Sequence, residues 1–373
     1  MTSKKRFSVL YSITGSKKEV ADKAFAICVE QTIEFPYHLV KDKYIKDTIV
    51  GKIESIKTAG KKHLVEISYA NETAGTELTQ FLNVVFGNTS MTPGIRVEKM
   101  FPPSALLNKL KGPRFGAAGL KRITGIYNRP LLCSALKPMG TTISKLAELS
   151  YKFALGGIDI IKDDHGLANQ GFSPFKERVT AVCEAVNRAN KKTGFNTLYA
   201  PNITADGLEA INRAKFAKRQ GAGALIISPG LAGLETMRTI VEDDSIGLPL
   251  FYHPAFHGSY FTNPDSGLSP YAFFGQLTRM CGADATIFPN FGGRFSFTEE
   301  ECSMIAKGCK DKLGKLKALL PAPGGGVTMD KLSHIKSFYG NDAVLLMGGG
   351  LFSTGIDITE NCKEFKRLVS LKQ

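Results

Sequence analysis

Eight short apolar runs, each followed by a segment of helical periodicity, dominate the sequence from about residue 130 onward. The runs are residues 130–137, 157–162, 197–203, 222–228, 248–253, 283–288, 317–322 and 343–347. The helical segments are residues 143–155, 175–192, 207–220, 234–242, 270–281, 298–310, 329–338 and 360–371. A strand that is apolar along its whole length is buried on both faces, as in a parallel sheet covered by helices. Eight such units in about 245 residues match a closed (β/α)8 barrel in number and size. An open doubly wound sheet would carry a G-x-G-x-x-G turn after an early strand, and none is present.

Residues 1–125 read as a separate, smaller α+β domain of ferredoxin-like type, and residues 126–373 as the barrel. Within the first part, residues 6–13, 46–56 and 63–70 have the pattern of strands. Residues 18–31 have helical spacing, with Ala21, Ala24, Ile27 and Cys28 on one face, and residues 77–86 form a second apolar-faced helix. Residues 91–113 are rich in proline and read as an irregular connection.

Composition narrows the function classes. The net charge is +14, but the lysines are spread along the chain and do not interleave with aromatic residues, and tryptophan is absent. A nucleic-acid partner is therefore not expected, and a basic surface that attracts anionic substrates is the simpler reading. No run of 18 apolar residues occurs, so no membrane partner is expected. Residues 1–6 are basic but no apolar leader follows, which points to a cytoplasmic protein. Seven cysteines lie singly, with no C-x-x-C, and read as reduced, buried thiols.

In a barrel of this kind the chemistry gathers at the C-terminal ends of the strands. Strand 1 ends in Lys137, strand 2 in Lys162-Asp163-Asp164-His165, strand 3 in Asn202, and strand 5 in His253 with His257 beyond it. Strands 7 and 8 run into Gly324-Gly325-Gly326 and Gly348-Gly349-Gly350. Glycine lets backbone N–H groups approach a phosphate closely, and the loops after strands 7 and 8 are the recurrent phosphate site of the fold. The other reading of the triplets is two tight turns. Strand alternation puts Lys162 and Asp164 on one side, toward the mouth, and Asp163 on the other. Asp164 and His165 can hold a divalent cation, and the alternative is a salt-bridged turn. Lys137 is either an acid–base group or a structural ion pair. His253 and His257 either orient substrate hydroxyls or are ordinary core or surface histidines.

At these residues the chain resembles the RuBisCO large subunit, and more closely the RuBisCO-like proteins, over most of its length and most strongly over residues 112–350. Residues 157–164, Gly-Gly-Ile-Asp-Ile-Ile-Lys-Asp-Asp when the preceding glycine is included, are similar to the family's strand 2 signature. The resemblance implies a CO2-derived carbamate on Lys162 and Mg2+ or Mn2+ held by Lys162, Asp164 and His165. The family has glutamate at the last position, and imidazole lowers the negative charge of the site. Lys137 falls on a lysine that handles protons near the substrate carbonyl, and His253 and His257 fall on the two rim histidines. Gly325, Gly326, Gly348 and Gly349 fall on the first phosphate site. Glu30 and Asn88 lie in segments that resemble N-terminal elements supplied by a neighbouring subunit, which implies a homodimer.

The departures argue against carboxylation. Met139, Pro254 and Gly324 stand where RuBisCO has a second lysine, a phosphate-gripping arginine and a serine. The segment from Pro289 to Arg294 lacks the mobile-loop lysine, with Arg294 as the charge it offers. One phosphate grip is kept and one lost, which implies a monophosphate. The reading is metal-assisted enolisation or isomerisation of a phosphorylated ketose, first of all 5-methylthioribulose 1-phosphate in sulfur salvage. The alternatives are 2,3-diketo-5-methylthiopentyl-1-phosphate enolase, a decarboxylase of a 3-oxo sugar-acid phosphate, or a non-catalytic or nucleic-acid-binding barrel.

Overall fold

The computed structural model describes residues 5–60, 62–293, 295, 297–353, 355 and 357–371. The chain divides into two compact units. The first comprises Met1–Lys111, His257–Met280 and Lys312–Leu316, and the second Gly112–Phe256, Cys281–Asp311 and Lys317–Gln373.

The first unit is built on an antiparallel sheet of β1 (Arg6–Thr14), β2 (Lys52–Ala59), β3 (Lys62–Ala70) and β4 (Ile95–Phe101). In β1, Phe7, Val9, Tyr11 and Ile13 alternate into its core, the period-2 signature of a sheet with one buried face. A helix at Lys17–Glu30 begins at a capping box between Ser16 and Glu19 and buries Val20, Ala24, Ile27 and Cys28. Two expectations fail here. The strand expected over residues 46–56 begins only at Lys52, because Ile45–Ile49 forms a π-helical turn. Asp42 Oδ1 accepts the N–H groups of Tyr44 and Ile45 at 2.7 and 3.2 Å and coils the chain there. Gly51 then passes so close to the helix that a Cβ on it would lie 2.9 Å from Cys28 Cα. The connection expected over residues 91–113 instead contains β4 and a helix at Ser104–Lys109. Three of its four prolines, Pro93, Pro102 and Pro103, bracket the strand rather than interrupt it, so their ban on ladder bonding costs nothing.

The second unit carries all eight expected parallel strands. They are β5 (Leu131–Leu136), β6 (Ile160–Asp163), β7 (Leu198–Ala200), β8 (Leu225–Ile227), β9 (Leu250–Tyr252), β11 (Ala285–Pro289), β12 (Leu320–Gly324) and β13 (Val344–Leu346). The intervening β10 (Gly267–Leu268) belongs to the first unit, where it pairs with β4. The order β7-β6-β5-β13-β12-β11-β9-β8 is that of a barrel opened between β7 and β8. That seam is closed by single hydrogen bonds, Ala224 N–H to Tyr199 O, Ile226 N–H to Pro201 O and Ile203 N–H to Ile226 O, each 3.0 Å. Leu131, Cys133, Ile160, Leu198, Ile226, Phe251, Ile287, Leu320 and Val344 fill the interior, and Leu120, from a helix at Gly116–Thr124, joins them. The barrel interior is thus a packed core, and only its mouth is free for chemistry.

All seven cysteines are buried and none is in a disulfide. Among the described residues no helix is long and apolar enough to cross a membrane.

Candidate active site

The interior set contains Ile160, so the period of two along β6 turns Ile160, Lys162 and Asp164 inward and Asp163 outward. Lys162 is 4% exposed, and its Nζ donates to Asp163 O at 2.8 Å. Burial pulls the Lys162 ammonium below its ordinary pKa, with Lys137 adding to the effect and Cys133 and Asp164 opposing it. Asp164 forms an ion pair with Lys137, from the end of β5, and accepts the Gly166 N–H at 3.0 Å. Burial raises the Asp164 carboxyl, but Lys137, the Gly166 N–H and Lys162 outweigh it and hold the group below the usual carboxylate value.

Beside Asp164, His165 places Nδ1 3.5 Å from Oδ1. Its ring stacks on His253, from the end of β9, with centroids 4.6 Å apart and planes at 11°. Burial lowers the pKa of both imidazoles, and the charge of Lys162 lowers them further. The Ala255 N–H reaches His253 Nδ1 at 3.2 Å, so that nitrogen is the acceptor and Nε2 carries the proton. Lys137, Lys162, Asp164, His165 and His253 therefore form one cluster at the barrel mouth.

The outward-facing Asp163 has a different task. Fully buried, it accepts Arg178 Nε at 3.2 Å, the Tyr199 hydroxyl at 2.8 Å and the Asn202 N–H at 3.0 Å. Arg178 in turn donates to the oxygens of Ser173 and Ala168, which ties the loop after β6 to the helix at Phe175–Thr193. Neither Arg178 nor Tyr199 stood out in the sequence: an arginine on a covering helix reads as a surface residue, and a tyrosine inside the apolar run of β7 reads as plain core, until the network is seen.

The glycine triplets follow β12 and β13, and β13 also pairs with β5, the strand of Lys137. Gly325 and Gly326 have φ of +77° and +73°, which side chains rarely adopt. A Cβ on Gly326 would lie 2.7 Å from Gly293 Cα, and one on Gly350 would lie 2.9 Å from Val327 O. At Gly325, Gly348 and Gly349 a Cβ would instead enter open space. Among the described residues no protein acceptor takes the N–H of Gly325, Gly326 or Gly348. Two adjacent loops thus hold backbone donors without a protein acceptor, which an anion cradle requires. Arg294 lies outside the described residues.

The remaining candidates belong to the first unit. His257 packs edge-on against Tyr260 and Phe273, with centroids at 5.2 and 5.3 Å, and burial pushes its pKa down to about 4. Asn88 Nδ2 donates to Glu30 Oε1 at 3.0 Å. Both line a cavity of about 610 Å3 together with Phe25, Tyr37 and Met91.

The model of the ribulose bisphosphate carboxylase large chain, catalytic domain, matches residues 116–359. Ribulose bisphosphate carboxylase-like protein 1 of Rhodopseudomonas palustris is 37% identical over 366 residues, 98% of each chain. The 5-methylthioribulose-1-phosphate isomerase of Rhodospirillum rubrum is 35% identical over 362 residues, covering 96% of this chain and 95% of that protein. Among solved structures, a Rubisco-like protein from Rhodopseudomonas palustris superposes with a TM-score of 0.88 at 35% identity, covering 99% of both chains. With the match spanning the barrel and near-full-length relatives above 30% identity, the chain belongs to the ribulose bisphosphate carboxylase large-chain family, among relatives that are RuBisCO-like proteins.

Proposed function

We propose that this protein is an enzyme that moves a proton next to the carbonyl of a phosphorylated ketose, with 5-methylthioribulose 1-phosphate isomerised and CO2 not fixed. The observation that carries the reading is the meeting of Lys162, Asp164 and Lys137 at neighbouring strand ends, beside two glycine loops with unsatisfied N–H groups. The near-full-length relative named for that isomerisation supports the choice of substrate.

The residues fit a divalent cation, Mg2+ or Mn2+. Beyond its ion pair with Lys137, the buried Asp164 Oδ2 has no hydrogen-bond partner. His165, neutral at neutral pH, sets a nitrogen beside the same carboxylate. Among the described residues no three His, Cys, Asp or Glu side chains are grouped to hold a metal, and the family resemblance implies Lys162 as the further donor. Burial lowers the Lys162 pKa and so raises the share of neutral amine, the form that adds to CO2: an N–C bond forms, a proton leaves to solvent, and an anionic carbamate ligand results. When bound, the cation would polarise the ketose carbonyl and acidify the neighbouring C–H.

This chain's own groups do the rest. The N–H groups of Gly325, Gly326, Gly348 and Gly349 bind the phosphate. Lys137, partly exposed and held by Asp164, moves the proton at the carbon. His253, fixed as the Nε2–H tautomer, donates to a substrate oxygen, and His257 serves a hydroxyl. Glu30 and Asn88 reach the site from a second copy in a homodimer. Exposed Phe25 and Met91 line the same cavity as Glu30 and Asn88 and supply apolar surface that such an assembly would cover.

The test is proton exchange. With 5-methylthioribulose 1-phosphate, Mg2+ and bicarbonate in D2O, mass spectrometry should find deuterium on carbon and isomerised product. No exchange across a panel of ketose monophosphates would defeat the enzyme reading. Exchange confined to a diketopentyl phosphate would move the assignment to the enolase.

A further inference from the structure

We infer that Asn202, at the end of β7, is a positioning residue that sets His165 for metal binding; this rests on the metal reading above. The imidazole of His165 is half exposed and is held by its stack on His253, by Asp164 Oδ1 at 3.5 Å from Nδ1, and through its backbone. Asn202 holds that backbone from the neighbouring strand. Its Nδ2 donates to His165 O and to Leu167 O, both at 2.9 Å, so both amide hydrogens are spent on the turn that carries the histidine.

The amide cannot turn over. Its Oδ1 accepts Thr204 N–H at 3.1 Å and the Thr204 hydroxyl at 2.6 Å, while its own N–H is held by Asp163. A flip would set two donors against each other on one side and two acceptors on the other. Thr204 Oγ1 accepts the Ser228 N–H at 2.9 Å, which extends the belt to the end of β8. Asn202 is 1% exposed, so no water competes for these bonds. A fully satisfied buried amide that spends both donors on one turn locates that turn, and groups that orient a ligand in this way typically govern metal affinity by 10–100-fold.

The experiment titrates Mn2+, followed by the electron-spin resonance of the free ion, and Co2+, followed by its visible absorption, in the presence of bicarbonate. Asn202→Asp keeps the side chain's shape and its acceptor for Thr204, but sets an oxygen against two carbonyls. The expected result is an apparent Kd for Mn2+ raised roughly 10–100-fold, together with an altered Co2+ spectrum at saturation. A merely structural role would lower Tm and leave the saturated spectrum unchanged, and that outcome would overturn the inference. If Asn202→Asp does not fold, Thr204→Val decides: it frees Asn202 Oδ1 on one side only and should weaken Mn2+ several-fold, and an unchanged Kd and spectrum would overturn the inference. Wild-type protein that binds neither ion would overturn the metal reading and this inference together, whereas wild-type binding with an unaffected variant would overturn the inference alone.

Discussion

The two ends of the barrel bury the same kinds of charge and treat them in opposite ways. At the N-terminal end, Asp159 accepts both guanidinium nitrogens of Arg129 at 2.6 and 2.9 Å and the Leu132 N–H at 2.7 Å. Asp284 accepts the N–H groups of Phe115, Gly116 and Leu250 at 2.7, 2.6 and 3.0 Å. At the C-terminal end, Asp164 Oδ2 is buried with only an ion pair, burial holds the pKa of both histidines below the ordinary value, and among the described residues the N–H groups of Gly325, Gly326 and Gly348 have no protein acceptor. Bonding capacity is fully used where the fold needs stability and left unspent where a ligand enters. The boundary runs through a single strand: Asp163 makes three bonds to the scaffold, while Lys162 and Asp164 on either side of it face the mouth.

Removing a group at the mouth should cost activity and not stability. In Lys162→Ala, deuterium exchange should fall by at least ~10³-fold and tight Mn2+ binding should be lost, while Tm stays within a few degrees because no scaffold partner other than Asp163 O is deserted. A large drop in Tm with exchange retained would erase the distinction between the ends. Arg129→Ala makes the converse case. It leaves a buried carboxylate unpaired and should destabilise the fold by about 3–5 kcal/mol in denaturant titrations. Exchange per folded molecule should be unchanged, and a comparable loss of exchange would mean that the N-terminal end is coupled to the chemistry.

The barrel was legible in the sequence because eight fully apolar runs leave few other ways to be buried, and every one of them is a strand. The inward turn of Lys162 and Asp164 followed from period two alone. In the first unit the signal was weaker. Residues 46–51 have strand-forming side chains, yet one carboxylate, Asp42, coils the backbone, and a local cap of that kind leaves no periodic trace. Strand β4 was hidden by its flanking prolines, which read as loop when counted and as boundaries when placed. The support of the site was not legible either. Asn202 could be placed at a strand end, but its grip on the His165 turn depends on adjacency between strands, which a single chain does not spell out.

Asp284 sharpens the N-terminal half of the comparison through pH. Burial pushes its carboxyl up from an ordinary 3.8 to about 6, with the three backbone N–H groups pulling the other way. The folded form therefore takes up the proton more readily than the unfolded chain. Its contribution to stability grows as pH falls through 6 toward 4 and is lost as pH rises above 6, by about 3 kcal/mol at most. In Asp284→Asn, which cannot titrate, that dependence disappears. Unfolding free energies measured for both proteins at pH 7 and pH 4 should show wild type gaining on the variant at the lower pH. A difference that stays constant would mean that the three hydrogen bonds hold the ionised form outright.

The smallest effect bears on the other end. Imidazole is a softer donor than carboxylate, so His165 should favour Mn2+ over Mg2+ more than a glutamate would. His165→Glu should therefore move the ratio of the two dissociation constants toward Mg2+ by about tenfold, roughly 1.4 kcal/mol, in competition titrations. The variant also loses the ring that stacks on His253, so a matching change in Tm would report on packing, while a change in the ratio reports on ligation. Because both ions carry the same charge, a general gain in negative potential shifts both affinities together and leaves the ratio alone. A ratio that does not move would remove His165 from the ligand set and leave the unspent capacity of the mouth to Lys162, Asp164 and the glycine loops.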